Sequence, residues 1–221
     1  MARAHFSDNF AIARRTMVTE MLAARGIRDK RVLEVMGQVP RHVFVDEALW
    51  PEAYGEHALP IGFGQSISQP YIVAKMCELL ELSGSEKVLE VGLGSGYHAT
   101  VLSKLARSVF AIERIPELTE RARRKLESLG INNVIARIGD GSAGWKSFAP
   151  FDRIVVSAAA AEIPSALPEQ LADSGRMVLP VGVQEEQCIV LVERRGATIL
   201  RKDIERVRFV PLVGERKRAG A

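Results

Sequence analysis

Residues 88–96 read Val88-Leu89-Glu90-Val91-Gly92-Leu93-Gly94-Ser95-Gly96, a short strand-like run that enters a turn with three glycines. Leu102 and Leu105 follow at helical spacing, so the glycines join a strand to a helix. A glycine turn so placed lets a ligand approach the backbone at the carboxyl edge of a parallel sheet. The next strand, Val109-Phe110-Ala111-Ile112, ends at Glu113. That is about 20 residues beyond the turn, where an acid commonly accepts hydrogen bonds from a ribose diol.

Two details select the class of ligand. The spacing is G-x-G-x-G and not the G-x-G-x-x-G of the dinucleotide fingerprint. Glu90 also stands just ahead of Gly92, where its charge would repel a pyrophosphate. A ligand with a ribose, an adenine and an ammonium but no phosphate suits this turn. S-adenosyl-L-methionine is such a molecule, with a sulfonium besides. Gly92, Gly94, Ser95 and Gly96 are then expected to cradle it, Glu90 to face its ammonium and Glu113 its ribose. A third acid, in Gly139-Asp140-Gly141, follows the third strand at the same edge and can accept from the adenine amino group. Alone it would be a plain Asp-Gly turn.

Outward from this motif the pattern stays regular. Ile72, Met76, Leu79 and Leu80 mark a helix before the first strand, and Leu118, Ala122, Leu126 and Leu129 mark one that opens at Pro116 and stops at Gly130. Val134-Ile135-Ala136, Ile154-Val155-Val156 and Met177-Val178-Leu179 read as further strands, with a helix expected around Pro164 to Ala172. Short β-branched runs separated by helices predict an α/β fold, doubly wound, with a mostly parallel Rossmann-like sheet. Cys188–Val192, turning near Gly196 into a strand that reaches Val210, adds an antiparallel hairpin. Residues 8–46 read as helical, and residues 47–70, with Pro51, Pro60 and Pro70 and several glycines, as an extended turn-rich loop of functional character. The expected organisation is an N-terminal extension over 1–70 and a cofactor domain over 71–221.

Composition excludes much else. The chain has 221 residues, 47% hydrophobic and 26% charged, enough to bury a sizeable core. Lys and Arg number 30 against 27 Asp and Glu, a formal +3 that the tail Arg216, Lys217, Arg218 partly supplies. That balance is too even for a nucleic-acid stripe. Cys77 and Cys188 have no CxxC partner, and the four histidines His5, His42, His57 and His98 form no metal-spaced cluster. With no apolar leader and no apolar run of about 18 residues, a cytoplasmic monomer without a membrane or nucleic-acid partner is expected.

The sequence resembles the protein-L-isoaspartate O-methyltransferases. The likeness rests on Val39-Pro40-Arg41, Ala53-Tyr54, the run from Pro60 through Ile67-Ser68-Gln69-Pro70, Gly139-Asp140-Gly141, Pro150-Phe151-Asp152, Pro180-Val181-Gly182 and Phe209-Val210-Pro211-Leu212. Ile67-Ser68-Gln69-Pro70 is the specific part; His98 stands where the bacterial relatives are expected to carry Gln. The resemblance implies methyl transfer from S-adenosyl-L-methionine, leaving S-adenosyl-L-homocysteine, to the free α-carboxyl of L-isoaspartyl residues in damaged proteins and peptides. It needs no metal. It marks Ser68 as the active-site residue, and Gln65, Ser66, Arg114, Asp140 and Gly141 as cofactor neighbours. Ser68 has a second reading as the N-cap of the helix at Pro70. Ala158–Ala161 can either line the peptide groove or pack a helix. A base methyltransferase would carry an Asn/Asp-Pro-Pro-Tyr loop where Ser157–Ala161 stand, and a serine hydrolase would need a further glycine ahead of Ser142.

Overall fold

A computed structural model describes residues 10–184 and 186–214; His5 and the basic tail Arg216–Arg218 lie outside them. A helix over residues 10–23 (α1), widened to π-type turns at Met17–Ala23, precedes α2 (Lys30–Gln38). Asp29 caps α2, accepting from the amides of Arg31 and Val32. The helical stretch is thus two helices, followed by 3₁₀ turns at Arg41–Phe44 and Glu47–Glu52. The segment expected to be an irregular loop holds a small antiparallel hairpin, β1 (Leu59–Gly62) with β2 (Gln65–Ile67). It was hidden by Pro60 within a strand of four residues. Its tip is Gly62-Phe63-Gly64, all three at positive φ, with the Arg121 guanidinium 5.3 Å from the Phe63 ring.

α3 (Pro70–Leu80) leads into the sheet: β3 (Lys87–Val91), α4 (Tyr97–Leu105), β4 (Ser108–Glu113), α5 (Pro116–Ser128), β5 (Val134–Ile138), β6 (Phe151–Val156), the single turn α6 (Ala166–Glu169), β7 (Leu171–Val183), β8 (Glu186–Arg195) and β9 (Thr198–Val207). The strand order is β5-β4-β3-β6-β7-β8-β9, parallel from β5 to β7 and antiparallel beyond. The order reverses between β3 and β6, which opens a crevice beyond their carboxyl ends. Alternation within each strand splits the core. Val88, Val109, Val155 and Val178 face α1–α4, whereas Leu89, Phe110, Ile154 and Met177 face Trp145, Phe151 and Leu167.

That second face is poor in helix. The helix expected at Pro164 to Ala172 is one turn, because Leu171 already pairs with Phe151 and sheet pairing overrides local propensity. β7 consequently begins well before Gly175, with Ser174 at φ 57 where the register shifts. Ala159 and Ala160 bridge Pro211 and Val181 in extended form, and Ala158 lines the cavity beside β3. No helix among the described residues is long and apolar enough to cross a membrane.

Candidate active site

The crevice beside β3 holds a cavity built mainly from six pieces of chain. The turn Gly92–Ser95 forms one wall, Glu113-Arg114-Ile115 another, and Gln65–Ser68 the cover; Ser157-Ala158, Gly141 and Val210–Val213 close it. Each piece has a local cause. Gly96 takes φ 86 to open α4, and a Cβ there would press on Ala122 of α5 at 3.2 Å. Gly141 lies against Val91 so closely that any side chain would overlap it. The hairpin carries Gln65 and Ser66 over the turn. The C-terminal segment returns to the cavity because the Ala159 amide donates to the Val210 carbonyl (2.8 Å) and the Leu212 amide to the Ala159 carbonyl (2.7 Å).

Glu113 is well satisfied. Its carboxylate accepts from the Gly94 amide at 2.8 Å and the Ile115 amide at 3.0 Å, so it fixes the glycine turn as well as facing the cavity. Glu90 is the reverse. It is fully buried in β3, and neither carboxyl oxygen has a hydrogen-bond partner. Burial, and then the charge of Glu113, hold its pKa well above the ordinary carboxylate range. The nearest basic atom, His98 Nδ1, is 4.0 Å from Oε1. Burial lowers the His98 pKa to about 4, so that imidazole is neutral at physiological pH. A cation above the turn would compensate the Glu90 carboxyl; nothing among the described residues does.

Ser68 does not cap α3. Pro70 occupies the first turn, so the cap position falls to Gln69, whose side chain makes no capping bond. Ser68 is left lining the cavity. A second cavity of about 430 Å³ opens beside the first, lined by Ala58, Gln69, Ile72, Arg208 and Phe209, and the two share Ser66, Ser68, Ser157 and Val210.

The predicted residues Gln65, Ser66, Ser68, Gly92, Gly94, Ser95, Glu113, Arg114 and Gly141 therefore meet on one cavity. Glu90 lies behind its wall, and Gly96 shapes the turn without lining it. Asp140 caps the short turn Gly141–Ala143, its Oδ1 accepting from the Ser142 amide and hydroxyl at 2.8 Å each. Sequence reading missed His98, Ser157 and Val210–Val213 as lining residues. Ser157 carried a signal, since it directly follows β6 at the ligand edge; the C-terminal segment arrives by contacts that no local pattern encodes.

The sequence profile described as "Protein-L-isoaspartate(D-aspartate) O-methyltransferase (PCMT)" matches residues 13–217. A protein-L-isoaspartate O-methyltransferase of Geobacter metallireducens is 51% identical over 208 residues, covering 94% of this chain and 96% of the relative. One from Syntrophobacter fumaroxidans is 53% identical over 207 residues, covering 94% and 97%. A solved protein-L-isoaspartate O-methyltransferase superposes with a TM-score of 0.82 at 28% identity, covering 90% of this chain and 66% of that one. A Plasmodium falciparum structure, in complex with S-adenosyl-L-homocysteine, superposes at 0.77 with 23% identity, covering 90% and 98%, and shares the fold. With a profile match over nearly the whole length and relatives at half identity, the chain belongs to the protein-L-isoaspartate(D-aspartate) O-methyltransferase family.

Proposed function

We propose that this protein moves a methyl group from S-adenosyl-L-methionine to the free α-carboxyl of L-isoaspartyl residues in damaged proteins and peptides. The observation that carries the reading is the junction of the two cavities at Ser66, Ser68, Ser157 and Val210. One cavity has the glycine turn and acids suited to a cationic nucleoside, and the other is a groove open to a polypeptide. The residues fit the cofactor in a specific way. Glu90 is a buried acid without a hydrogen-bond partner that a bound cation would draw into its ionised form, Glu113 faces the cavity as a ribose acceptor, and Gly92 and Gly94 present bare backbone. Gln65, Ser66 and Arg114 complete the enclosure, and the Asp140–Gly141 loop is assigned to the adenine.

When bound, S-adenosyl-L-methionine supplies a methyl group activated on a sulfonium. An acceptor carboxyl with an ordinary pKa of about 4 is ionised at neutral pH, so the chain needs no general base. What the residues must do is position and dehydrate that carboxylate. Ser68, freed from capping, donates its hydroxyl to one carboxylate oxygen and leaves the other to react. The partners of the chain are thus isoaspartyl polypeptides.

The decisive experiment offers labelled S-adenosyl-L-methionine with an isoaspartyl peptide and its aspartyl counterpart. Label is expected in the isoaspartyl peptide alone. Equal labelling of both peptides, or of neither, overturns the reading.

A further inference from the structure

His98 has no part in the scheme above and Ser157 only marks the junction, yet both line the cofactor cavity, and Ser157 also lines the adjoining groove. Ser157 is fixed at the end of β6 by its amide, which donates to the Val91 carbonyl at 2.8 Å. Its Oγ lies 3.3 Å from His98 Nδ1, and His98 Nε2 lies 3.4 Å from the buried Cys77 Sγ. A chain of three side chains therefore runs from α3 through α4 to the junction of the cavities.

The chain has a direction. A neutral imidazole carries one ring proton, and the ring is neutral because burial lowers its pKa to about 4. Burial raises the Cys77 thiol, which keeps its proton. In the tautomer where that S–H donates to Nε2, the ring proton sits on Nδ1 and is donated to the Ser157 oxygen. With its oxygen accepting from His98, the Ser157 hydroxyl turns its own proton into the junction.

We infer that Ser157 is a second catalytic hydroxyl, sharing the junction of the cavities with Ser68, that holds the acceptor carboxylate, and that His98 is the positioning residue that aims it. The inference rests on the methyl-transfer reading and deepens it. Two hydroxyl donors to the same non-reacting oxygen hold the carboxylate more firmly than one, and the other oxygen stays free to react.

The test measures kcat and KM on an isoaspartyl peptide, with cofactor affinity by calorimetry and thermal stability alongside. Ser157→Ala is expected to lower kcat/KM by at least about tenfold, chiefly through peptide KM, with cofactor Kd and Tm close to wild type. Ser157→Thr keeps the hydroxyl and should recover most of the loss. His98→Leu should fall part of the way toward Ser157→Ala, and His98→Gln, whose amide can donate to the same oxygen, should recover. A Ser157→Ala enzyme with wild-type kcat/KM overturns the inference. So does a loss that merely tracks Tm or cofactor affinity, since that would make Ser157 a packing residue. A wild-type chain without turnover on the isoaspartyl peptide defeats the underlying reading, and the inference with it.

Discussion

The ends of β3 and β4 are neighbours in one parallel sheet, and each supplies a carboxyl to the same crevice, yet the two are treated in opposite ways. At the end of β4, Glu113 reaches past its own strand and takes two backbone amides, one from the glycine turn and one from the start of the segment into α5. Within β3, Glu90 points into the dry side of the sheet toward His98 and has no hydrogen bond on either oxygen. One acid holds the turn in shape before any ligand arrives. The other leaves a polar deficit beneath the turn that a bound cation would relieve. Sequence spacing presents them as two similar ligand-facing acids; only the environment divides their roles.

The sharpest way to break the comparison is to remove the satisfied acid. Glu113→Ala removes the acceptor of the half-buried Gly94 and Ile115 amides. Water can partly replace it, so a total loss of about 1–3 kcal/mol is expected in chemical denaturation. Cofactor affinity by calorimetry should fall by more than about tenfold, because the turn loses its brace as well as the ribose its acceptor. Unchanged affinity in a folded variant would strip Glu113 of both roles.

Removing the unsatisfied acid should act with the opposite sign on stability. Because the Glu90 pKa is raised on folding, the unfolded chain gives up this proton first as pH climbs. Between the ordinary carboxyl value and the raised one, the folded state holds the extra proton, so its stability falls with rising pH. Glu90→Gln abolishes that slope. Without cofactor, the variant should gain stability relative to wild type as pH climbs from 5 to 7, while its affinity for S-adenosyl-L-methionine weakens about tenfold. Parallel stability curves for the two proteins across this range would show that Glu90 is not uncompensated, and the contrast with Glu113 would collapse.

How much of this was legible beforehand follows the range of the contacts. The glycine turn, Glu113 and the strands that flank them are local patterns of period and punctuation, and they stand where the sequence put them. The β1–β2 hairpin was not legible, since Pro60 and two glycines mask strands of four and three residues. The failed helix before β7 yielded to pairing with Phe151, a partner distant in sequence. The sequence presents Glu90 as the acid that faces the ammonium, but not its depth behind the cavity wall, because a side chain on the helix-facing side of a central strand is buried whatever its charge. The Val210–Val213 wall depends on bonds to Ala159, which no periodicity announces. The sequence thus reveals what a segment is more readily than what covers it.

Ser68 extends the contrast to the rim and carries the smallest expected effect. Its hydroxyl resembles Glu90 in lacking a capping or structural duty, but it is half-buried beside the groove, where water can satisfy it. If it capped α3, Ser68→Ala would cost about 0.5–2 kcal/mol, whereas Ser68→Gly would cost only a few tenths. The cap position belongs to Gln69, so both variants are expected to stay within about 0.5 kcal/mol of wild type in thermal denaturation. Both should nevertheless lose about tenfold in kcat/KM on an isoaspartyl peptide, equivalent to about 1.4 kcal/mol of transition-state stabilisation, with cofactor affinity unchanged. The alanine variant is the discriminating one. An appreciable loss of stability with intact turnover per folded molecule would return Ser68 to a structural role, and would leave the acceptor carboxylate without the donor that the junction of the two cavities assigns to it.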